Sequence, residues 1–146
     1  MLRSILVFLF FTFSLAFGYE EEIKKVEAEI ISEMAHIIAK NNKKIKVVTS
    51  SDLKYILKYS KILSHTLSCK KAHILITGDE RLLKKCNKPA IVTKYYLLKK
   101  YKNAIGAIYW KKGRPNVVFV KDRLEQFNIK LPDRYRKYLE RENNLW

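Results

Sequence analysis

"AHILITGDERLLKKCNKPAIVTKYYLLKKY", residues 72–101, is the stretch whose reading decides the fold. "AHILITG" (72–78) is a short β-branched and aliphatic run closed by Gly78, which suits a buried strand. "DERLLKK" (79–85) follows with Asp79 placed to cap a short helix. "KPAIVTK" (88–94) is a second strand and "YYLLKKY" (95–101) a second short helix. Strand–helix–strand–helix at this spacing predicts parallel strands covered on both faces.

Working outward, "KIKVVTSSD" (44–52) reads as an earlier strand ending in cap-competent Ser50, Ser51 and Asp52. "LKYILKYSKIL" (53–63) places Leu53, Ile56, Leu57, Ser60 and Leu63 on one side of a helix, and "SHTLSCKK" (64–71) is a connection. Further back, "YEEEIKKVEAEIISEMAHIIAKNNKK" (19–44) carries Ile23, Val26, Ile30, Met34, Ile37 and Ile38 at helical spacing. Its N-terminal glutamates and C-terminal Lys40, Lys43 and Lys44 suit the helix dipole, with Asn41 and Asn42 as stop signals. Downstream, "IGAIYWKKGRPNVVFV" (105–120) has two apolar runs around a polar break and predicts a β-hairpin. "KDRLEQFNI" (121–129) reads as a helical turn or a short helix. "LPDRYRKYLERENNLW" begins a last helix at Pro132 and Asp133, with Tyr135, Tyr138 and Leu139 as its apolar side. The expected fold class is α/β, a small three-layer sandwich with a mostly parallel sheet and a C-terminal β-hairpin. Strands between two helical layers explain why both faces of the hairpin runs are apolar.

The first 18 residues, "MLRSILVFLFFTFSLAFG", have a positive Arg3, an apolar run from Ile5 to Phe17, and small Ala16 and Gly18 before Tyr19. This is the pattern of a cleaved signal peptide. An uncleaved anchor is the alternative. The expected organisation is a signal peptide at 1–18 and one α/β domain at 19–146, with a periplasmic location.

The chain holds 30 Lys and Arg against 14 Asp and Glu, a formal charge of +16. Removing a leader with one Arg and no acid leaves 29 basic and 14 acidic residues, or +15. Such an excess points to an anionic partner: lipid head groups, a polyanion or an acidic protein face. Export argues against nucleic acid. A general lysine-rich composition is the competing explanation.

Cys69 and Cys86 are the only cysteines. They bracket one strand–helix unit, so both fall at the same end of it, and a disulfide is expected in an oxidising compartment. Two buried free thiols are the alternative. His65, Cys69 and His73 are spaced four apart, but His73 reads as strand and a disulfide would consume the thiolate a metal needs, so no metal site is expected. His36 reads as solvated. Acidic Asp79 and Glu80 occupy the helix start after Gly78, which argues against a phosphate there. No nucleophile elbow, Walker sequence or acid–histidine constellation is present. A non-enzymatic protein without a cofactor is therefore expected.

The remaining candidate is surface. Lys99, Lys100, Lys102, Lys111, Lys112 and Arg114 cluster in sequence, interleaved with Tyr95, Tyr96, Tyr101, Tyr109 and Trp110. Lys99, Lys100, Lys111, Lys112, Arg114 and Trp110 are the expected partner-binding residues, a basic contact patch with an aromatic rim. Solvated lysines beside core aromatics are the alternative.

The leader, the "ILITGD" and "KPAIVT" strands and the "IGAIYWKKGRPNVVFV" hairpin together resemble the periplasmic YfiR-like family. The shared pattern comprises Cys69, Gly78, Pro89 with Thr93, Gly106 with Gly113, and Leu131 to Leu139, so it spans about residues 69–139. The chain lacks the family's Asn after the second hairpin strand, where Val120 is followed by Lys121, and its N-terminal Trp-Pro region. The resemblance implies a periplasmic regulator that holds a membrane-bound diguanylate cyclase inactive by binding its sensor domain, with Cys69 and Cys86 as the redox-relevant pair. The alternative is a small-ligand-binding domain for an anionic metabolite or lipid head group, in a crevice at the strand ends.

Overall fold

The computed structural model describes residues 2–40 and 42–146, with side chains from Phe17 onward. The side chains of the expected leader up to Ala16, and the stop signal at Asn41, lie outside the described residues. Helix α1 (Leu2–Ile38) is continuous through the expected cleavage point before Tyr19. Among the described residues no helix is long and apolar enough to cross a membrane.

After α1 the chain forms β1 (Ile45–Thr49), α2 (Tyr55–Tyr59), β2 (Leu63–His65), β3 (Ile74–Thr77), α3 (Glu80–Lys85), β4 (Ala90–Val92) and α4 (Tyr95–Lys100). Then follow β5 (Ala104–Lys111), β6 (Arg114–Val120), α5 (Lys121–Gln126) and β7 (Leu139–Glu140). One sheet has the order β2-β1-β3-β4-β5-β6-β7. All its neighbours are parallel except the β5–β6 hairpin. The expected α/β sandwich with a mostly parallel sheet and a late hairpin is the observed architecture.

Two cores confirm the three layers. On one face α1 supplies Ala28, Ile31, Met34, Ala35 and Ile38 against Ile45, Val47, Ile74, Ile76 and Phe119. On the other, Leu83, Leu97 and Leu98 of α3 and α4 pack on Val48, Leu75, Val92 and Ala107. The innermost stripe of α1 differs from the one read from large side chains. Ala28, Ile31, Ala35 and Ile38 touch the sheet, while Ile23, Val26 and Ile30 are half-buried. The helix comes so close that a Cβ at Gly106 would stand 3.1 Å from Met34 Cε.

Several expected elements are corrected. α1 stops at Ile38, and Lys40 takes a left-handed φ of 56°, so Lys43 and Lys44 lie outside it. The helix read over 53–63 is a 3₁₀ turn at Ser51–Leu53 and then five residues of α2. Leu63–His65 instead adds an edge strand beside β1, because Leu63 fills the core while Ser64 and His65 face water. The last segment is not an α-helix. Asp133–Tyr138 is a 3₁₀ helix, and Leu139–Glu140 pairs in parallel with Phe119–Val120 at the other sheet edge. Pro132 starts that helix as expected, but Tyr135 then sinks into the core against Phe119, with ring centroids 6.4 Å apart.

Asp79 caps α3, accepting from Arg81 N–H at 2.9 Å. Cys69 and Cys86 are joined across 17 residues, with Cα atoms 5.5 Å apart, and the described residues contain no free cysteine. His36 is half-buried rather than solvated, and its Nδ1 has no hydrogen-bond partner among the described residues.

Candidate functional site

β5 runs parallel to β4, and Val92 at the end of β4 pairs with Ala107, so the hairpin tip at Lys111 extends four residues beyond the carboxyl edge of the parallel strands. Lys112 and Gly113 close the hairpin with φ of 52° and 71°. Two positive values at the centre of a two-residue loop define a type I′ turn, whose twist matches that of the strands. Pro115 follows one residue later, opposite Trp110. A proline fits there because this pair does not exchange ladder hydrogen bonds and its missing N–H faces the open side.

A bulge decides which residues face which layer. The β4–β5 register moves from Ala90↔Ala104 to Ile91↔Gly106, so Ile105 is the extra residue. Beyond it Gly106, Ile108 and Trp110 share the α1 face, and Ala107 and Tyr109 the α4 face. Trp110 therefore reaches α1, where its indole N–H donates to Glu27 Oε2 at 2.7 Å. Tyr55 O–H donates to the other oxygen at 2.8 Å. Burial and the bond to Glu27 push the Tyr55 hydroxyl well above its ordinary value.

On the α4 face a second aromatic group forms. Tyr95 meets Tyr109 edge-on at 5.1 Å, Trp146 stacks on Tyr95 at 4.7 Å, and Lys111 Nζ lies 4.9 Å over the Trp146 ring. Trp146 is 67% exposed. At the tip, Lys111, Lys112, Arg114 and Asn116 line a cavity of about 340 Å³. Among the described residues none of those three cations has a carboxylate partner.

The other expected contact residues divide. Lys99 and Lys100 lie in the last turn of α4, about 6 to 7.5 Å along the helix axis from Tyr95. Lys100 is engaged: its ammonium pairs with Glu80 at 3.0 Å, and Tyr101 O–H donates to the same carboxylate at 2.7 Å. Those two bonds hold the Glu80 carboxyl below its ordinary range. The structure thus brings Lys111, Lys112 and Arg114 together, fastens the still-exposed Trp110 to Glu27 across the α1 face, and sets Lys99 and Lys100 apart. No group of three or more potential metal ligands occurs among the described residues.

The same sheet edge holds the point where the chain passes from β1 to strands on either side of it, the position where α/β sheets form crevices. Thr49, Ser50, Thr77, Thr93 and Lys94 gather there. The crevice is narrow. Thr77 Oγ1 accepts from Asp79 N–H at 2.9 Å, and a Cβ on Gly78 would stand 2.7 Å from Thr93 Oγ1. The Ser50 hydroxyl is buried with no partner among the described residues.

Sequence reasoning missed Arg123, a buried cation in α5. Its Nη1 donates to the carbonyls of Leu98, Tyr101 and Ala104 at 2.5–2.9 Å, and its Nη2 to Glu142 at 3.2 Å. It thereby closes the end of α4 and anchors the segment that carries Trp146. Burial pulls its pKa down. A lone arginine in an amphipathic turn gives no signal for such a role.

No protein-family model matches the chain, and no curated protein matches it. The fold is similar to the crystal structure of a conserved domain protein from Vibrio cholerae O1 biovar eltor, with a TM-score of 0.51 and 13% identity. The match covers 78% of this chain and 59% of that one, so the chain spans less than two thirds of its neighbour's length. At this identity the likeness concerns the fold alone.

Proposed function

We propose that this chain is an exported, non-enzymatic regulator that docks a membrane signalling partner through the basic end of its hairpin. The supporting observation is the grouping of Lys111, Lys112 and Arg114 on a rigid type I′ turn, without internal counter-charges, beside the exposed Trp146 ring. Uncompensated charge on a rigid element steers an acidic partner and sets register, and the aromatic neighbour supplies area to bury. The YfiR-like pattern over residues 69–139 supports a periplasmic sensor domain, such as that of a diguanylate cyclase, as the partner. Reversible docking needs no catalytic group. A second reading, an anionic metabolite or lipid head group in the strand-end crevice, draws on the unpartnered Ser50 hydroxyl.

The test is affinity capture from membranes at low and moderate salt, followed by mass spectrometry. The regulator reading expects one membrane sensor protein, captured less at the higher salt. Changing Lys111, Lys112 and Arg114 together to Ser should abolish capture and leave the melting temperature unchanged. Capture that ignores both salt and these substitutions rejects the hairpin as the docking element.

A further inference from the structure

At the opposite, amino-terminal edge of the sheet lies a larger cleft of about 530 Å³, within the size range of small-molecule sites. Its floor is apolar, built from buried Ile38, Ala72 and Ile129 with half-buried Phe127. Its ionisable lining groups are Lys40, Lys88 and His73, and no carboxylate lines it.

His73 adds a specific polarity. Its Nδ1 accepts the Lys46 N–H at 2.9 Å, so the neutral ring carries its proton on Nε2 and offers a donor there. Ala35, Ile37 and Ala39 oxygens are taken by the N–H groups of Ala39, Lys40 and Asn42. Two ammonium groups and an imidazole N–H above an apolar floor match a molecule with an anionic head and an apolar tail. The walls are braced as well. The Cys69–Cys86 bond ties the loop leading to Ala72 and His73 to the loop bearing Lys88, so the cleft is held open at little further entropic cost.

We infer that this cleft binds a single-chain amphiphile with an anionic head, a fatty carboxylate or an alkyl phosphate, its tail on Ile38, Phe127 and Ile129 and its head between Lys40, Lys88 and His73. The assignment is independent of the hairpin, which stands at the other end of the sheet.

The experiment is isothermal titration of the purified protein, below micelle formation, with dodecanoate, dodecyl phosphate and dodecyltrimethylammonium. Saturable binding of one or both anions, with none of the cationic amphiphile, is expected, and the preferred anion identifies the head. Lys40→Ser with Lys88→Ser should weaken that binding about tenfold or more at an unchanged melting temperature. Lys112→Ser with Arg114→Ser should leave it unchanged. Absence of saturable binding, equal binding of the cation, or insensitivity to loss of Lys40 and Lys88 would overturn the assignment.

Discussion

Trp110 and Glu27 are 83 residues apart in the chain and joined by a hydrogen bond of 2.7 Å, which fastens the hairpin to α1 above the sheet. Glu27 also accepts from Tyr55, so one carboxylate holds three elements together. Trp110→Phe should lower stability by about 1 kcal/mol, the usual worth of such a bond. A double-mutant cycle with Glu27→Gln should show coupling rather than additivity. Additive effects in urea unfolding would mean that the two side chains do not act together.

Arg123 should be among the least replaceable residues. Arg123→Met leaves the carbonyls of Leu98, Tyr101 and Ala104 without this donor, while the Glu142 carboxylate keeps Lys102. A loss of about 3 kcal/mol or more is expected, since each buried carbonyl left without a donor costs about 1–3 kcal/mol. Arg123→Lys should recover little, because an ammonium cannot reproduce the guanidinium fork. Urea midpoints of the two variants measure this.

The hairpin turn separates backbone strain from charge. Gly113→Ala places a side chain at φ 71°, with no neighbouring atom within 4 Å of the new Cβ, so any cost is conformational. It should amount to about 1 kcal/mol. Lys112→Asn should instead stabilise by about 0.5 kcal/mol, since Asn-Gly is the preferred type I′ pair. Calorimetric melting of both variants distinguishes the two directions.

The disulfide closes a short loop, and its stabilisation comes mainly from constraining the unfolded chain. Cys69→Ala with Cys86→Ala should lower stability by about 3 kcal/mol. Alkylation of the non-reduced native protein should modify neither cysteine by mass spectrometry.

Glu80 predicts an acid limb. Tyr101 and Lys100 bind its charged form, so its carboxyl lies below the ordinary value of 4.5 in the folded state. Its contribution is complete above that value and is lost as the pH falls through the lowered one. Melting temperatures from pH 6 down to pH 2 should decline less steeply for Glu80→Gln than for the unaltered protein, about in proportion to this one group. Identical slopes would remove Glu80 from the acid response.

The sequence by itself determined the local elements and their alternation. β-branched runs, the Asp79 cap and the Lys-Gly turn act within a few residues, so periodicity and cap chemistry carry them. From that alternation came the parallel sheet, its two helical layers and the cysteine pairing. What the sequence did not determine was set by distant partners. Leu63–His65 and Leu139–Glu140 are too short to show a period and become strands only because β1 and β6 offer open edges. The bulge at Ile105 reverses the phase of β5, which sends Trp110 to Glu27 and Tyr109 to Tyr95. Of the expected contact residues, Lys111, Lys112 and Arg114 stay together because one tight turn holds them. Lys99 and Lys100 part from them because α4 carries them back along the sheet. Local propensity is a property of neighbouring residues. The choice of sheet edge, bulge phase and buried charge depends on groups that meet only when the chain has folded.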